Sequence, residues 1–529
     1  MASSRTPSMA KSSQTSSKLV AVLAISAFGA LSGLAYPRFS LWPLIFVSVA
    51  GIFAMLRNRS LPLSALLGFF AGEAFYVSQI YWISQYLGPV PLIALATLES
   101  LIFAVGAIAI ALTWRLIDRL PKSVSLWAAA PMLATVWIAR EWVSINWPYG
   151  GFPWARLAMS QSESPLADWA YLGGLPLLGW IVAFIAAISA QAIAERKSVR
   201  LFSRTMALRS TAILAVFAVG ILVTPPTDPE EGTIKIAAVQ GNANAGLFAN
   251  PIRGSILEKH LRASRLVIPP KSTEKPDLVV WPENSADINP ASDPSTAIEL
   301  NNFVTNQLGA PLILGTITER DSKFYNESQL WLPDKGPVDY YAKKRPVPFA
   351  EYVPDRDFWY ALAPDLIGLI AHGYDFGTRD GIYDLAKTKV GVNICFEIAV
   401  DELNRDLVSG GARVIVSQTN NSDFGHSDET FQQAAIARLR AIETGRVVVN
   451  DSTVGVTAAF APDGSTIASL EAFKPGAIKF DAALRSSTTP AYWFGPIFVF
   501  IINCAAGIQV AISIIAETKV RQNRKRAVS

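Results

Sequence analysis

Charge is scarce in this sequence. Lys, Arg, Asp and Glu make up 17% of its 529 residues and hydrophobic residues 51%, whereas a soluble domain carries about 25% charged residues. That shortage excludes a disordered, fibrous or coiled-coil chain and means that lipid solvates part of the molecule. Cysteine is nearly absent: Cys395 and Cys504 are the only two, which excludes a disulfide scaffold and any multi-thiolate metal site. Histidine is as rare, and His260, His372 and His426 show no ligand spacing, so no metal centre is expected. The net charge of +4 is small for this length, and its placement says more than its sum.

What is abundant is apolar sequence, in runs. Residues 1–18 are rich in Ser, Thr and Lys and read as a disordered tail. Apolar runs follow at 19–36, 41–56, 61–81, 90–114, 124–139, 168–194 and 210–224, and a last one at 492–516. A spanning helix needs about 20 such residues. Several runs meet that outright, and those at 41–56, 124–139 and 210–224 are short. The first run is expected to be a span rather than a cleaved signal peptide, because no small-residue cleavage site stands out and further spans follow. The expectation is a polytopic α-helical membrane protein with about eight transmembrane helices, seven of them in 19–229 and one in 491–517. Cys504 in the last run reads as an ordinary buried thiol.

Basic residues orient these helices. With the N-terminus cytoplasmic, the inside segments hold Arg5, Lys11, Lys18, Arg57, Arg59, Arg115, Arg119, Lys122, Arg196, Lys197, Arg200, Arg204 and Arg209, then Lys519, Arg521, Arg524, Lys525 and Arg526. The outside loops hold only Arg38, Arg140 and Arg156, a split of 18 against 3. Both termini are therefore expected in the cytoplasm. The basic tail, 518–529, is a topology determinant that also suits contact with anionic lipid.

Between 230 and 490 the pattern changes to short β-type runs, at 233–239, 277–281, 311–317, 390–394, 413–417 and 446–450, alternating with helical stretches such as 428–443. This is a soluble α/β domain of about 260 residues, large enough to bury its own core. By the charge split it lies on the extracytoplasmic face. Three of its segments carry chemistry. Val-Val-Trp-Pro-Glu-Asn sets Glu283 just past a strand end; Tyr-Ala-Lys-Lys-Arg-Pro-Val-Pro-Phe-Ala-Glu holds Lys343 and Glu351; Gly-Val-Asn-Ile-Cys-Phe-Glu delivers Cys395 and Glu397.

Taken singly, each has a plain structural reading. A lone Cys between Ile and Phe is usually a small core residue, Trp-Pro-Glu is a turn with a solvated carboxylate, and Lys343-Lys344-Arg345 is a basic patch. Together a Glu, a Lys and a Cys suit acyl transfer. A thiol with a pKa near 8.5 needs a base to attack well at neutral pH. Glu283 can take that proton and later return it to a leaving group. Lys343 can hold the thiolate and the tetrahedral oxyanion, with the backbone N–H of Phe396 as a second donor. Glu351 and Glu397 are placed to orient Lys343.

These segments resemble, in residue type and chain order, the Glu–Lys–Cys motifs of the nitrilase (carbon–nitrogen hydrolase) superfamily. With membrane helices on both sides, the whole chain beyond its tail is similar to the apolipoprotein N-acyltransferase family. Further matches are Gly-Phe-Pro-Trp at 151–154, Val-Gln-Gly-Asn at 239–242, Val-Pro-Phe-Ala-Glu at 347–351, Thr-Asn-Asn-Ser-Asp-Phe-Gly at 419–425 and Gly-Val-Thr-Ala at 455–458. The resemblance implies an extracytoplasmic α-β-β-α sandwich carried on the membrane helices of a bacterial cytoplasmic (inner) membrane. It implies Glu283 as general base, Lys343 as oxyanion stabiliser and Cys395 as nucleophile, with Glu351 and Glu397 as supporting carboxylates. The reaction implied is ping-pong. Cys395 takes an acyl chain from a membrane phospholipid as a thioester, and the free α-amino group of diacylglyceryl-cysteine on an apolipoprotein accepts it as an amide. No cofactor and no metal are implied, since the ester is itself the acyl donor, and no nucleic acid is. Nothing demands more than a monomer. Two positions depart from the family pattern: Phe396 stands where Tyr is frequent, and Asp423 where an aromatic is.

In the membrane part, Trp142, Trp147, Tyr149, Phe152 and Trp154 crowd one outer loop beside Arg140 and Glu141. They read equally as an interfacial aromatic belt or as a lipid-entry floor, which makes Phe152 and Trp154, with Asp423, the candidates for substrate binding. Glu73 and Glu99 fall inside spans, where carboxylates are rare and costly; they are either helix-paired groups or functional ones. Two other functions remain open. A membrane-anchored nitrilase-type amidase would discharge the same thioester with water, and a transporter or receptor would use the outer domain only to bind.

Overall fold

The computed structural model describes residues 8–195, 203–246, 251–268, 275–370 and 372–528. Backbone contacts divide it into two units. One gathers the residues up to Trp169, Leu175–Val223 and those from Phe494 on; the other gathers Ala170–Gly174 and Thr224–Trp493.

The first unit is helical. Seven helices among the described residues are long and apolar enough to cross a membrane: Ser17–Ala35, Leu61–Ile83, Pro89–Ile117, Lys122–Asn146, Trp169–Glu195, Arg204–Leu222 and Pro490–Asn523. The run at 41–56 forms an eighth apolar helix, Leu44–Leu56, of 13 residues. At 1.5 Å per residue it is about 20 Å long, short of a hydrocarbon core of about 30 Å. The final helix is tied in by polar contacts: Gln509 Nε2 donates to Thr113 Oγ1 at 2.7 Å, and Glu517 pairs with Arg115 at 3.1 Å and with Arg119 at 2.5 Å.

Three expectations change here. The tail is helical from Ser8, as part of Ser8–Leu31, because residues 8–18 contain neither Gly nor Pro to stop a helix propagating backwards from the apolar run. The basic C-terminal segment likewise continues the helix Pro490–Val528. Cys504 is exposed rather than buried. It shares an outward face with Ile501, Ile508 and Ile512, and in a lipid-solvated helix apolar neighbours mark the outside as readily as the inside. Of the residues used for orientation, Arg5, Arg196, Lys197 and Arg200 lie outside the described residues.

The second unit is built on two six-stranded sheets. The strands are β1 (Thr233–Gln240), β2 (Leu278–Val280), β3 (Leu312–Arg320), β4 (Lys323–Leu332), β5 (Gly336–Ala342), β6 (Ile382–Leu385), β7 (Thr388–Ile394), β8 (Val414–Thr419), β9 (Val447–Ser452), β10 (Ala458–Phe460), β11 (Thr466–Ser469) and β12 (Gly476–Ala483). They run in the orders β12-β1-β2-β3-β4-β5 and β11-β10-β9-β8-β7-β6. Each sheet has a parallel centre, β1-β2-β3 or β7-β8-β9, with antiparallel strands outside it.

Alternation of side chains explains the layers. On β1, Ile234, Ile236 and Ala238 enter the core between the sheets, packed with Val390, Val392, Val414, Val416 and Val449. Ala237 and Val239 face the opposite way, into a second core shared with Leu257, Leu261, Leu300 and Phe303 of the covering helices. The helices Asp401–Ser409 and Glu429–Thr444 pack on the other sheet. Strands buried on both faces read as near-continuous apolar runs, which is why the central strands are legible in the sequence. The result is an α-β-β-α sandwich.

Candidate active site

Glu283 follows the parallel strand β2 by three residues. Parallel strands leave their carboxyl ends open for loops, the usual place for a site in such sheets. The neighbouring strand must come close beneath it: a Cβ on Gly315 would stand 2.6 Å from the Pro282 carbonyl oxygen and 2.7 Å from the Glu283 Cα. Glycine is what lets β3 pass there. The Glu283 carboxylate is 4% exposed. Its Oε1 accepts from Asn326 Nδ2 at 2.7 Å and from Lys343 Nζ at 3.2 Å.

Lys343 leaves β5, whose pairing with β4 sets Asn326 opposite it: the Lys343 N–H donates to the Asn326 carbonyl at 2.9 Å. The chain then turns sharply, with Phe349 left-handed at φ +61°, and brings Glu351 back. The Glu351 carboxylate accepts from Lys343 Nζ at 2.9 Å, from Asn326 Nδ2 at 2.8 Å and from the Val347 N–H at 2.7 Å. One ammonium thus lies between two carboxylates, and one amide bridges the same pair.

Cys395 directly follows β7, with φ +53°. That left-handed conformation costs a non-glycine residue about 1–2 kcal/mol, and it turns the thiol off the strand into a 3-10 turn, Cys395–Ala399. Glu397 in that turn holds it. Its carboxylate, fully buried, accepts from the Ile394 N–H at 2.8 Å, the Lys344 N–H at 2.7 Å, the Arg345 N–H at 3.0 Å and the Tyr341 hydroxyl at 2.9 Å. The residue before Cys395 and the two after Lys343 are therefore fixed to one side chain.

Electrostatics follow from burial. Burial pushes the Glu283 carboxyl up, opposed by the Lys343 ammonium, which makes it a better base than a free carboxylate. Burial would favour a neutral Lys343, but Glu283 and Glu351 outweigh it and hold the ammonium above its ordinary value. Burial and the Glu283 charge raise the Cys395 thiol while Lys343 lowers it. Burial also raises Glu397, opposed by its backbone donors. A thiol, a raised carboxylate and a fixed cation in mutual range can form and break an acyl bond.

The structure brings Glu283, Lys343, Glu351, Cys395 and Glu397 together in the sandwich. Phe396 is the first residue of the turn after the thiol. Asp423 lies past β8 beside Gly246, where a Cβ would meet its Oδ1 at 2.6 Å. Phe152 and Trp154 belong to the helical unit and stack on each other, 6.4 Å between centroids. Trp154 is buried against Trp82, whereas Trp142 and Trp147 are exposed. Glu99 is buried in a network in which Ser144 donates to it, so it is a hydrogen-bonded group; Glu73 Oε1 has no hydrogen-bond partner among the described residues. Sequence reasoning missed Asn326, Tyr341 and Tyr374, the last of which senses Glu351, Glu283 and Lys343. An Asn inside a polar stretch of β4 carries no signal of its own.

Residues 28–188 match the family model of the apolipoprotein N-acyltransferase N-terminal domain, and residues 235–488 that of carbon-nitrogen hydrolases. The chain is 31% identical to an apolipoprotein N-acyltransferase of Mycolicibacterium smegmatis, over 94% of this chain and 86% of that protein. It is 29% identical to one of Vibrio cholerae, over 93% of this chain and 97% of that protein. Among solved structures, an amidase from Nesterenkonia sp. is similar at 15% identity and a TM-score of 0.37, over 51% of this chain and 96% of that one.

Proposed function

The chain belongs to the apolipoprotein N-acyltransferase family, and we propose that it moves an acyl chain from a membrane phospholipid, through Cys395, to the N-terminal amine of a diacylated apolipoprotein. The observation that carries this reading is the ammonium of Lys343 held between Glu283 and Glu351, within electrostatic reach of a thiol at a strained strand end. Glu283 takes the thiol proton as sulfur attacks the ester carbonyl. Lys343 and the Phe396 N–H hold the oxyanion; the C–O bond breaks, and the proton passes to the departing lysophospholipid. The amine then attacks the thioester, giving its proton to Glu283. The C–S bond breaks and the thiolate is reprotonated. Glu351 keeps Lys343 charged and in place, and Glu397 joins the two loops.

The chain is a membrane protein, and the distribution of Lys and Arg supports a bacterial cytoplasmic membrane with both termini inside and the sandwich outside. A lipid donor accounts for a helical unit far larger than an anchor needs. The test is the intact mass of the purified protein after incubation with a defined phospholipid and no acceptor. The expected result is a hydroxylamine-labile gain of one acyl chain, absent in Cys395→Ala and discharged by a diacylated lipopeptide. Discharge by water at a comparable rate would make the enzyme a hydrolase. No adduct with any donor, with function retained in Cys395→Ala, would end the covalent reading.

A further inference from the structure

Next to Cys395 the sandwich buries a polar cluster that the mechanism above leaves unused. Gln433, Asn421 and Glu429 are all at most 2% exposed. Gln433 and Glu429 are one turn apart on the helix Glu429–Thr444, so they share a face. Arg440, seven residues after Gln433 and on that same face, clamps the turn that carries the thiol. Its Nε donates to the Ile398 carbonyl at 2.8 Å and its Nη2 to the Ala399 carbonyl at 2.7 Å. The helix face and the nucleophile's turn are thus locked together.

Within the cluster every amide has one orientation. Ser452 Oγ accepts from the Gly455 N–H at 2.8 Å, so its proton goes to Asn421 Oδ1, at 2.5 Å. Thr430 Oγ1 accepts from the Val456 N–H at 2.7 Å and also turns its proton toward Asn421 Oδ1, at 3.4 Å. A Cβ on Gly455 would lie 2.5 Å from that same oxygen and 2.0 Å from Thr430 Oγ1, so only glycine leaves room for the nest. With its oxygen so engaged, Asn421 presents its two N–H donors to Glu429 Oε2 at 2.7 Å and to Gln433 Oε1 at 2.6 Å. Gln433 has its oxygen on Asn421 and must therefore aim its own NH₂ elsewhere. It aims it at Cys395 Sγ, 3.7 Å away.

We propose that Gln433 is a further catalytic donor, which holds the Cys395 thiolate, and that Asn421 is the positioning residue that aims it. This rests on Cys395 being the nucleophile. The groups whose charge acts on the sulfur are Glu283 after β2, Lys343 after β5, Glu351 in the following loop and Glu429 on the helix. Two of these, Glu283 and Glu351, are carboxylates that oppose thiolate formation at neutral pH, against one cation, and Glu429, whose carboxyl burial pushes up to about 8, joins them once it ionises. A neutral donor on the sulfur offsets that imbalance without a second buried charge. It also retains the sulfur as leaving group in the second half-reaction.

The test measures the pH dependence of Cys395 alkylation by iodoacetamide in the full-length purified protein. Peptide mass mapping separates Cys395 from the exposed Cys504. Gln433→Leu is expected to move the alkylation midpoint up by about one pH unit and to slow thioester formation about tenfold at pH 7, as the thiolate fraction falls. Gln433→Glu, nearly isosteric but without the donor, moves it further. Asn421→Asp, which cannot donate to Gln433, moves it in the same direction. Gln433→His restores a ring N–H and most of the rate. A folded Gln433→Leu or Gln433→Glu protein whose midpoint stays within about 0.2 pH unit of the parent overturns the proposal. If Gln433→Leu does not fold, Gln433→Glu and Asn421→Asp decide it. Failure of the underlying reading looks different: the parent protein itself then forms no thioester at Cys395.

Discussion

The helical unit buries Glu99, Arg140, Glu141 and Arg156, and the sandwich buries Glu283, Lys343 and Glu397. Both clusters put carboxylates and cations where an unpaired charge costs several kcal/mol. In the helical unit those charges are spent on one another and on rings. Ser144 donates to Glu99, Arg140 donates to the Tyr76 hydroxyl at 2.9 Å, and its guanidinium lies 4.6 Å and 5.0 Å from the centroids of Phe103 and Trp137. Glu141 accepts from the Leu157 N–H at 3.1 Å and faces Arg156 at 3.6 Å. That cluster joins helices, and its Ser144 hydroxyl is engaged by Glu99 and Tyr76. In the sandwich the same ingredients surround the sulfur of a half-buried cysteine on a strained backbone. Buried charge alone does not mark a site. A reactive atom whose partners are themselves held fixed does.

The sharpest way to break this contrast is Lys343→Met. It removes an oxyanion donor, by itself worth about 10²–10³ in rate, and leaves Glu283 and Glu351 facing each other without their cation. Thioester formation should fall by at least about 10³-fold, and the melting temperature with it, since breaking a buried pair costs about 3–5 kcal/mol. Thioester formation near the parent rate would put the sandwich cluster in the same structural class as the helical one.

Glu397→Ala comes next. Three backbone N–H groups and the Tyr341 hydroxyl lose their acceptor, at about 1–3 kcal/mol for each buried donor left unpaired. Stability should drop by several kcal/mol and single-turnover acylation by about 10–100-fold, because a small misplacement of Lys343 against Cys395 is enough. Glu397→Gln should recover part of the stability.

A pH experiment sharpens the point about unpaired burial. Burial pushes the Glu429 carboxyl up to about 8, opposed by the Asn421 donor and reinforced by Glu283 and Asp423. An unfolded Glu titrates near 4.3, so between about pH 4 and 8 the folded state retains a proton that the unfolded state has released. Stability is then lost as pH rises through that window, by about 1.4 kcal/mol per pH unit. Glu429→Gln removes the term, so its melting temperature relative to the parent should climb steadily from pH 5 to 8. A constant difference would show an ionised Glu429.

The smallest effect belongs to the helical cluster. Glu99→Gln keeps an acceptor for Ser144 and should leave acylation within about twofold and stability within about 1 kcal/mol. Loss of thioester formation in that variant would make the membrane cluster part of the chemistry and erase the contrast altogether.

The candidate catalytic segments, Trp-Pro-Glu283 after β2 and Ile394-Cys395-Phe396-Glu397 after β7, were legible because a charged or thiol residue follows an apolar β-run in each and because their order resembles a family's motifs; taken singly they read as a turn and a core strand end. Gln433 and Asn326 were not. Each lies among other polar residues in its own element, and what it faces is supplied by an element more than 30 residues away in the chain. The exposure of Cys504 was illegible for a related reason, since lipid and protein interior reward the same apolar neighbours.

Local patterning by itself determined the two-part architecture, the apolar helices and the central strands, while the candidate reactive groups were singled out by the order of their motifs and a family resemblance. Apolar periodicity and the scarcity of charge are properties of short windows, which no fold can alter. Only the tertiary structure decided that Glu397 joins the loops of Lys343 and Cys395, that Glu351 folds back on the ammonium, and that one amide of the helix Glu429–Thr444 is aimed at the sulfur. Those are orientations of single donors across the gap between strands and helices, and a hydrogen bond's direction exists only once both of its ends have been placed.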